Sequence, residues 1–405
     1  MKTNKIRLGE QCVVTSSKRF HLSERITQGV PFYCSKEIIK KFNGEDVTEC
    51  DYISEDLYKK VSNEFGVPKE NDLLITTRGT IGIPYLYKRT DRFYFADGNL
   101  TWIKDFNSNL YSKFLYYWFQ SYEGRKKFEA LAKGTAQKAV PISGIKTLEI
   151  ELPPLKSQKR IADILSAYDD LIENNQKQIK LLEEAAQRLY KEWFVDLRFP
   201  GHENTKIVDG VPEGWNWCKL EDAIQFDPKV TLTKERMKQF IPMSALSTSS
   251  MVLDESQFTE TTSNSGSKFQ NGDTLLARIT PCLENGKTAY VSGLKSDEGA
   301  VGSTEYIVMR AKTINSYMVY LLARTDDFRQ SAINSMSGSD GRQRVKSDKL
   351  KMLDYLHPTS ELVEKFENVE ELIFEKIYRL SKQMQQAKQA RDLLLPKLMS
   401  GEVEV

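Results

Sequence analysis

The sequence is poor in residues that bind metals or form disulfides. It contains five cysteines, an odd number without a CxxC pair, and three histidines in 405 residues. A disulfide framework or a zinc site needs paired cysteines or a close cysteine–histidine set. We therefore expect no disulfide framework and no metal site in this chain.

Long apolar runs are also missing. No stretch approaches the roughly 18 apolar residues that a membrane-spanning helix requires. The basic start, residues 1–5, is not followed by an apolar segment with a small-residue cleavage site. These features predict a cytoplasmic protein without a membrane partner.

The net charge is nearly balanced at +2, which permits nucleic-acid binding without demonstrating it.

The motifs of several enzyme classes are absent or incomplete. Residues 152–155 (LPPL) lack the polar acceptor and the aromatic ring of an adenine methyltransferase loop. Residues 286–288 (GKT) suggest a phosphate-binding loop, but Pro281 stands where its first glycine would be. Residues 227–229 (DPK) match a nuclease carboxylate–lysine cluster only loosely. Three scattered histidines support no catalytic triad. We predict a chain without catalytic residues.

The two halves of the sequence resemble each other. Residues 71–74 (NDLL) resemble residues 271–276 (NGDTLL), about 201 positions later. Four further positions recur 205 residues later: Val140, Ile145, Leu148 and Pro153 return as Val345, Leu350, Leu353 and Pro358. Such self-similarity predicts a duplicated structural module.

A heptad pattern follows each globular half. Apolar residues with 4-3-4-3 spacing, interrupted only by Asn175, are typical of a coiled-coil seam. They are Ile161, Leu165, Tyr168, Ile172, Asn175, Ile179, Leu182, Ala186, Leu189 and Trp193. Eight of the ten positions 205 later are again apolar; the ten are Phe366, Glu370, Ile373, Ile377, Leu380, Met384, Ala387, Arg391, Leu394 and Leu398. A heptad alone more often marks an ordinary core or oligomerisation helix, but two seams in one chain favour pairing with each other.

Together these patterns predict an α+β fold with an internal pseudo-two-fold repeat. Two mixed α/β globular regions, residues 1–152 and 199–357, would be separated by two long antiparallel helices, residues 153–198 and 358–405.

Four segments carry a family resemblance. They resemble conserved sequences in the specificity subunits of type I restriction-modification enzymes. The segments are residues 152–162 (LPPLKSQKRIA), 210–215 (GVPEGW), 272–287 (GDTLLARITPCLENGK) and 393–402 (LLLPKLMSGE). They occur in the family's order and span essentially the whole chain.

The resemblance implies a function and a set of partners. The globular regions would be target-recognition domains, each reading half of a split double-stranded DNA site, and the helices would set their separation. About 35 helical residues span roughly 50 Å, more than one DNA turn of ~34–36 Å. Methyltransferase (modification) subunits with S-adenosylmethionine, and motor-nuclease (restriction) subunits with ATP and magnesium, would dock on the chain. The chain itself would bind no cofactor.

Four polar, glycine-containing and basic loops are the candidate DNA contacts, at residues 76–80, 134–138, 278–280 and 338–344. Arginine pairs with guanine and glutamine with adenine through two hydrogen bonds. The candidate residues are Thr77, Arg78, Thr80, Thr135, Gln137, Lys138, Arg278, Thr280, Ser339, Arg342, Gln343 and Arg344. The alternative is that these loops are solvated turns.

Two other functions stay open from the sequence alone. One is a coiled-coil scaffold without DNA specificity, which the heptads and the modest charge would also fit. The other is a stand-alone DNA methyltransferase or nuclease, for which only the incomplete motifs speak.

Overall fold

The computed structural model describes residues 3–134, 138–296, 298–339 and 341–405. The chain divides into two compact units: residues 1–173 with 385–405 form unit 1, and residues 174–384 form unit 2. Both boundaries fall inside long helices, so each unit contains one globular region and part of each helix.

The described residues of unit 1 form three small sheets. Its strands are β1 (Asn4–Arg7), β2 (Val13–Thr15), β3 (Val30–Tyr33), β4 (Asp51–Ile53), β5 (Leu73–Thr76), β6 (Pro84–Leu86), β7 (Tyr94–Phe95), β8 (Leu100–Lys104) and β9 (Glu149–Leu152). The largest sheet has the order β2-β8-β5-β6, all antiparallel. A second has the order β4-β3-β7, with β3 and β7 parallel. The third pairs β1 with β9.

The described part of the first half also has six α-helices: α1 (Ser35–Phe42), α2 (Glu55–Glu64), α3 (Ser112–Gln120), α4 (Tyr122–Glu129), α5 (Ile142–Lys146) and α6 (Leu155–Tyr190), the last continuing into unit 2. Ser121 separates α3 from α4, and its side chain accepts a hydrogen bond from the Gly124 N–H. Such a serine cap satisfies an N–H that the first turn leaves without a partner.

The described residues of unit 2 form the same three sheets as unit 1, except that the second sheet has four strands instead of three, and they add one two-stranded sheet. Its strands are β10 (Ile207–Val208), β11 (Val211–Pro212), β12 (Asn216–Lys219), β13 (Ile224–Phe226), β14 (Lys238–Ile241), β15 (Thr259–Thr261), β16 (Ser267–Phe269), β17 (Thr274–Ala277), β18 (Thr288–Tyr290), β19 (Ala300–Gly302), β20 (Tyr306–Ala311) and β21 (Asp354–His357). The main sheet has the order β13-β20-β17-β18 and the second β15-β14-β19-β16, with β14 and β19 parallel. β12 pairs with β21, and β10 pairs with β11.

The remaining helices are α7 (Leu220–Ala223), α8 (Ser316–Arg324), α9 (Asp326–Asn334), α10 (Ser347–Lys351) and α11 (Ser360–Ser400). Thr325 caps α9 by accepting from the Phe328 N–H, as Ser121 caps α4 in unit 1. The matching strand orders and caps confirm the internal repeat that the sequence predicts.

The long helices pack against each other within each unit. In unit 1, Ile161 and Leu165 of α6 share a core with Leu398 of α11. In unit 2, Phe366 of α11 contacts Tyr190 of α6, with ring centroids 6.1 Å apart. Early residues of α6 thus meet late residues of α11, and the reverse. The predicted α+β fold with two long antiparallel helices is confirmed.

Candidate nucleic-acid interface

The predicted loops lie at the ends of equivalent strands. In unit 1 the chain leaves β5 at Thr77, whose carbonyl oxygen accepts from the Val140 N–H at 2.9 Å. In unit 2 it leaves β17 at Arg278, whose carbonyl oxygen accepts from the Val345 N–H at 2.9 Å. The same backbone hydrogen bond therefore joins the two loops of each unit.

Unit 1 brings three exposed candidates together. The Gly79 N–H lies 3.4 Å from the Lys138 carbonyl oxygen, and Arg78 forms an antiparallel bridge with Ala139. Arg78, Thr80 and Lys138 are exposed, whereas Thr77 is buried. Two basic side chains are thus accessible beside each other on this unit.

Two further candidates of unit 1, Thr135 and Gln137, lie outside the described residues.

Unit 2 joins its loops in the same way. The Thr280 N–H donates to the Gln343 carbonyl oxygen at 3.1 Å, the counterpart of the contact between Gly79 and Lys138. Ser339 and Arg342 are exposed, and Arg278, Thr280 and Gln343 are half-buried. These two loops, which are far apart in the sequence, therefore lie side by side.

Arg344, the last candidate, is paired with an acidic residue that the sequence analysis did not identify. Its Nε lies 3.0 and 2.9 Å from the two carboxylate oxygens of Glu305, and its Nη2 lies 2.7 Å from Oε1. Hydrogen bonding from Arg344, together with the charges of Arg344 and Arg278, lowers the pKa of the Glu305 carboxyl. Glu305 stands just before β20, 39 positions from Arg344, and no local motif links the two.

Two buried polar atoms of the candidate loops in unit 2 lack a hydrogen-bond partner among the described residues. They are Nε of Arg278 and Oγ1 of Thr280. A buried polar group without a partner costs about 1–3 kcal/mol, so such groups are usually satisfied in the functional state. Both belong to the predicted loops.

Polar contacts fasten the globular regions to the helices within each unit. In unit 1, Asp169 of α6 accepts from the Tyr117 hydroxyl at 2.6 Å and from Arg391 of α11 at 2.7 Å. In unit 2, Glu183 of α6 accepts from the Ser250 hydroxyl at 2.7 Å, and burial raises the pKa of the Glu183 carboxyl. In unit 1 the globular region is therefore bonded to α6, and α6 to α11. In unit 2 the globular region is bonded to α6.

The incomplete enzyme motifs have structural roles. Lys287 donates through Nζ to the Met243 carbonyl oxygen at 2.9 Å, and Thr288 is buried in β18. Asp227 accepts from the Val308 N–H and from the Ser347 hydroxyl. Within the described ranges, no group of three or more His, Cys, Asp or Glu is placed to hold a metal ion. No described helix is long and apolar enough to cross a membrane.

Comparison with known proteins identifies relatives for both halves. Residues 3–184 match the family model "Type I restriction modification DNA specificity domain". The chain is 27% identical over 304 residues to the type I restriction enzyme MjaIX specificity subunit of Methanocaldococcus jannaschii, covering 73% of this chain and 69% of the relative. It is 35% identical over 140 residues to the EcoAI specificity subunit of Escherichia coli, covering 33% of this chain and 24% of that relative.

A solved structure supports the fold over the whole chain. The S subunit of a type I restriction-modification system from M. genitalium superposes with a TM-score of 0.62 at 16% identity, covering 98% of this chain and 96% of that one. The matched domain and the relatives in sequence make the chain similar to the specificity subunits of type I restriction-modification systems, and the solved structure shows that it shares the fold of such a subunit.

Proposed function

We propose that this chain acts as a specificity subunit and recognises a bipartite double-stranded DNA site, with each unit reading one half. The observation that carries the proposal is the repeated loop surface at the end of β5 in unit 1 and of β17 in unit 2. Recognition is assigned to residues 1–152 and 199–357, and spacing to residues 153–198 and 358–405.

The two loop surfaces differ in side chains although they share a backbone arrangement. Unit 1 exposes Arg78 and Lys138, and unit 2 exposes Arg342 beside the half-buried Gln343. Base edges are read by the hydrogen-bonding groups of side chains, whereas basic residues on phosphates set position. Equivalent backbones with different side chains therefore favour two different half-sites.

The long helices would fix the distance between the half-sites and provide docking surfaces. Modification subunits would bring S-adenosylmethionine, and restriction subunits would bring ATP and magnesium, so the chemistry would occur on partners. DNA and these partners would place the assembled enzyme in the cytoplasm. A coiled-coil scaffold without DNA specificity is the alternative, and it would leave the repeated loops without a role.

Removing two side chains from the unit 2 surface should weaken discrimination at one half-site. The double variant Arg342→Ala with Gln343→Ala is assembled with its modification subunits. We expect its free energy of discrimination between the correct and an incorrect base to fall by about 1–3 kcal/mol for each base contact removed. The measurement is the dissociation constant for the target and for substituted sites at fixed salt concentration, because phosphate contacts make affinity salt-dependent. Assembly with the modification subunits should be unchanged by native mass spectrometry.

The reciprocal control is Arg78→Ala with Lys138→Ala in unit 1, which should affect the other half-site. An equal loss on every sequence for the unit 2 variant would indicate phosphate contacts instead of base contacts. Absence of target-specific binding by the assembled wild-type complex would favour the scaffold.

A further inference from the structure

The ion pair between Arg344 and Glu305 leaves part of the guanidinium free. A guanidinium carries five N–H groups in one plane. Glu305 receives the Nε–H and one N–H of Nη2. Among the described residues, the outer edge, with the second N–H of Nη2 and those of Nη1, has one long contact of 3.4 Å, from Nη1 to the Arg342 carbonyl oxygen. The Arg344 side chain is 41% exposed, so this edge can reach a partner.

Two N–H groups on the outer edge of a guanidinium match the two acceptors of guanine. Guanine presents O6 and N7 side by side in the major groove, and a bidentate arginine pairs with both. A long arginine side chain has many rotamers, so holding its inner edge on a carboxylate reduces the freedom that base pairing would otherwise remove. An arginine held by a carboxylate therefore loses less conformational entropy when it binds guanine.

The negative charge of Glu305 needs an explanation at a surface that would face DNA. The hydrogen bond from Arg344, together with the charges of Arg344 and Arg278, lowers the pKa of this carboxyl, so the group is ionised at neutral pH. A carboxylate beside DNA phosphates reduces general affinity. It improves recognition only if it positions a base-reading group or penalises incorrect sequences.

Building on the proposed function, we infer that Arg344 reads one guanine in the half-site of unit 2 and that Glu305 is the positioning residue for that contact. The charge of Glu305 also opposes binding to DNA in which the guanine is missing, because the arginine then gains no base contact to offset the repulsion between carboxylate and phosphates.

Unit 1 lacks this pair at the equivalent positions. The backbone carbonyl oxygen of Asn99 accepts from the Thr77 N–H, as that of Glu305 accepts from the Arg278 N–H, so Asn99 is the counterpart of Glu305. Ala139 forms the β-bridges in unit 1 that Arg344 forms in unit 2, so Ala139 is the counterpart of Arg344. Asparagine and alanine cannot form an ion pair. The guanine contact is therefore specific to the half-site of unit 2.

The test uses the specificity subunit assembled with its modification subunits and a target duplex of mapped sequence. Dissociation constants are measured for the target, for every single base-pair substitution, and for duplexes with 7-deazaguanine, which lacks the N7 acceptor. For the wild type, one guanine should show a loss of about tenfold or more on substitution, and a smaller loss with 7-deazaguanine.

Arg344→Lys keeps the charge but cannot make the bidentate contact. We expect it to reduce discrimination at that guanine to about threefold or less, to remove the effect of 7-deazaguanine, and to leave the other positions unchanged. Glu305→Ala should weaken discrimination at the same guanine and leave binding to unrelated DNA equal or tighter. Glu305→Ala removes a packing partner of Arg344, so the melting temperature of the Glu305→Ala variant is compared with that of the wild type. If the Glu305→Ala variant is unfolded, the test rests on Arg344→Lys alone.

The matched control is Arg236→Lys, since Arg236 pairs with Glu298 at 2.9 Å elsewhere in unit 2. It should alter discrimination at no position. The inference is overturned if Arg344→Lys weakens all duplexes equally, if it retains the wild-type response to 7-deazaguanine, or if the two variants affect different base pairs. A wild-type complex that discriminates no base pair at all would overturn the proposed function itself.

Discussion

Phe366→Ala is expected to lower the free energy of unfolding by about 3–5 kcal/mol, the cost of removing a buried aromatic side chain. Phe366 is fully buried in unit 2. Its ring lies 4.9 Å from that of Phe194 and 5.5 Å from that of Trp193, centroid to centroid. These contacts join α11 to the π-helical turn Lys191–Val195 that follows α6, so the substitution would weaken the packing of the two chain segments as well as the core of unit 2.

The measurement is urea denaturation of the wild type and the variant. The control is Leu372→Ala on the same helix, because Leu372 is 70% exposed and its truncation should change stability by about 0.5 kcal/mol or less. Similar effects of the two substitutions would show that α11 does not pack as described.

Glu370→Gln is expected to remove a pH-dependent loss of stability. Glu370 occupies a seam position of α11 in unit 2, and both carboxylate oxygens are buried without a hydrogen-bond partner among the described residues. Burial raises the pKa of this carboxyl from 4.5 to about 7. Desolvation is the cause, because the charged form loses its hydration without gaining a counter-charge.

The direction of the effect follows from the protons bound by each state. Well below pH 4.5 the carboxyl is protonated in both the folded and the unfolded chain, so its titration makes no contribution to the pH dependence of stability. Between pH 4.5 and 7 the unfolded chain releases the proton while the folded chain keeps it, so stability falls as pH rises. Above pH 7 the full penalty applies, on the order of 3 kcal/mol at about 1.4 kcal/mol per pKa unit.

The measurement compares wild type and Glu370→Gln by chemical denaturation between pH 4.5 and pH 8. The stability of the variant relative to the wild type should increase across this range by on the order of 3 kcal/mol. The control is Glu371→Gln, the exposed neighbour, for which the difference should stay constant. Parallel curves for Glu370→Gln and the wild type would show that the carboxyl does not titrate in this range.

The long helices could be predicted from the sequence, but the partners of their polar residues could not. The seam predicted Asn175 as its single polar member in α6, and the structure gives it a partner in Gln383, with the Asn175 Nδ2 3.1 Å from Oε1. Position 380, its repeat equivalent, is a leucine. The antiparallel packing of α6 and α11 determines which residues of the two helices contact each other. The sequence repeat shows only which residues hold equivalent positions in the two halves. Asp169, which meets Arg391, lies outside the seam altogether.

The candidate loops could be predicted because glycine and polar residues mark turns locally, and the structure joins them in pairs. Glu305 could not be predicted as their partner. It reaches Arg344 because β20 lies beside β17 in the main sheet, with Ala277 opposite Tyr306. That register depends on the fold, so sequence spacing alone gives no signal for the pair.

Exchange of one recognition region tests the central claim most directly. Residues 1–150 would be replaced by those of a specificity subunit with a different target, and methylated motifs would be mapped in a host that carries the modification subunit. One half of the bipartite motif should change while the other half keeps its sequence. A motif in which both halves change would contradict the assignment of one half-site to each unit.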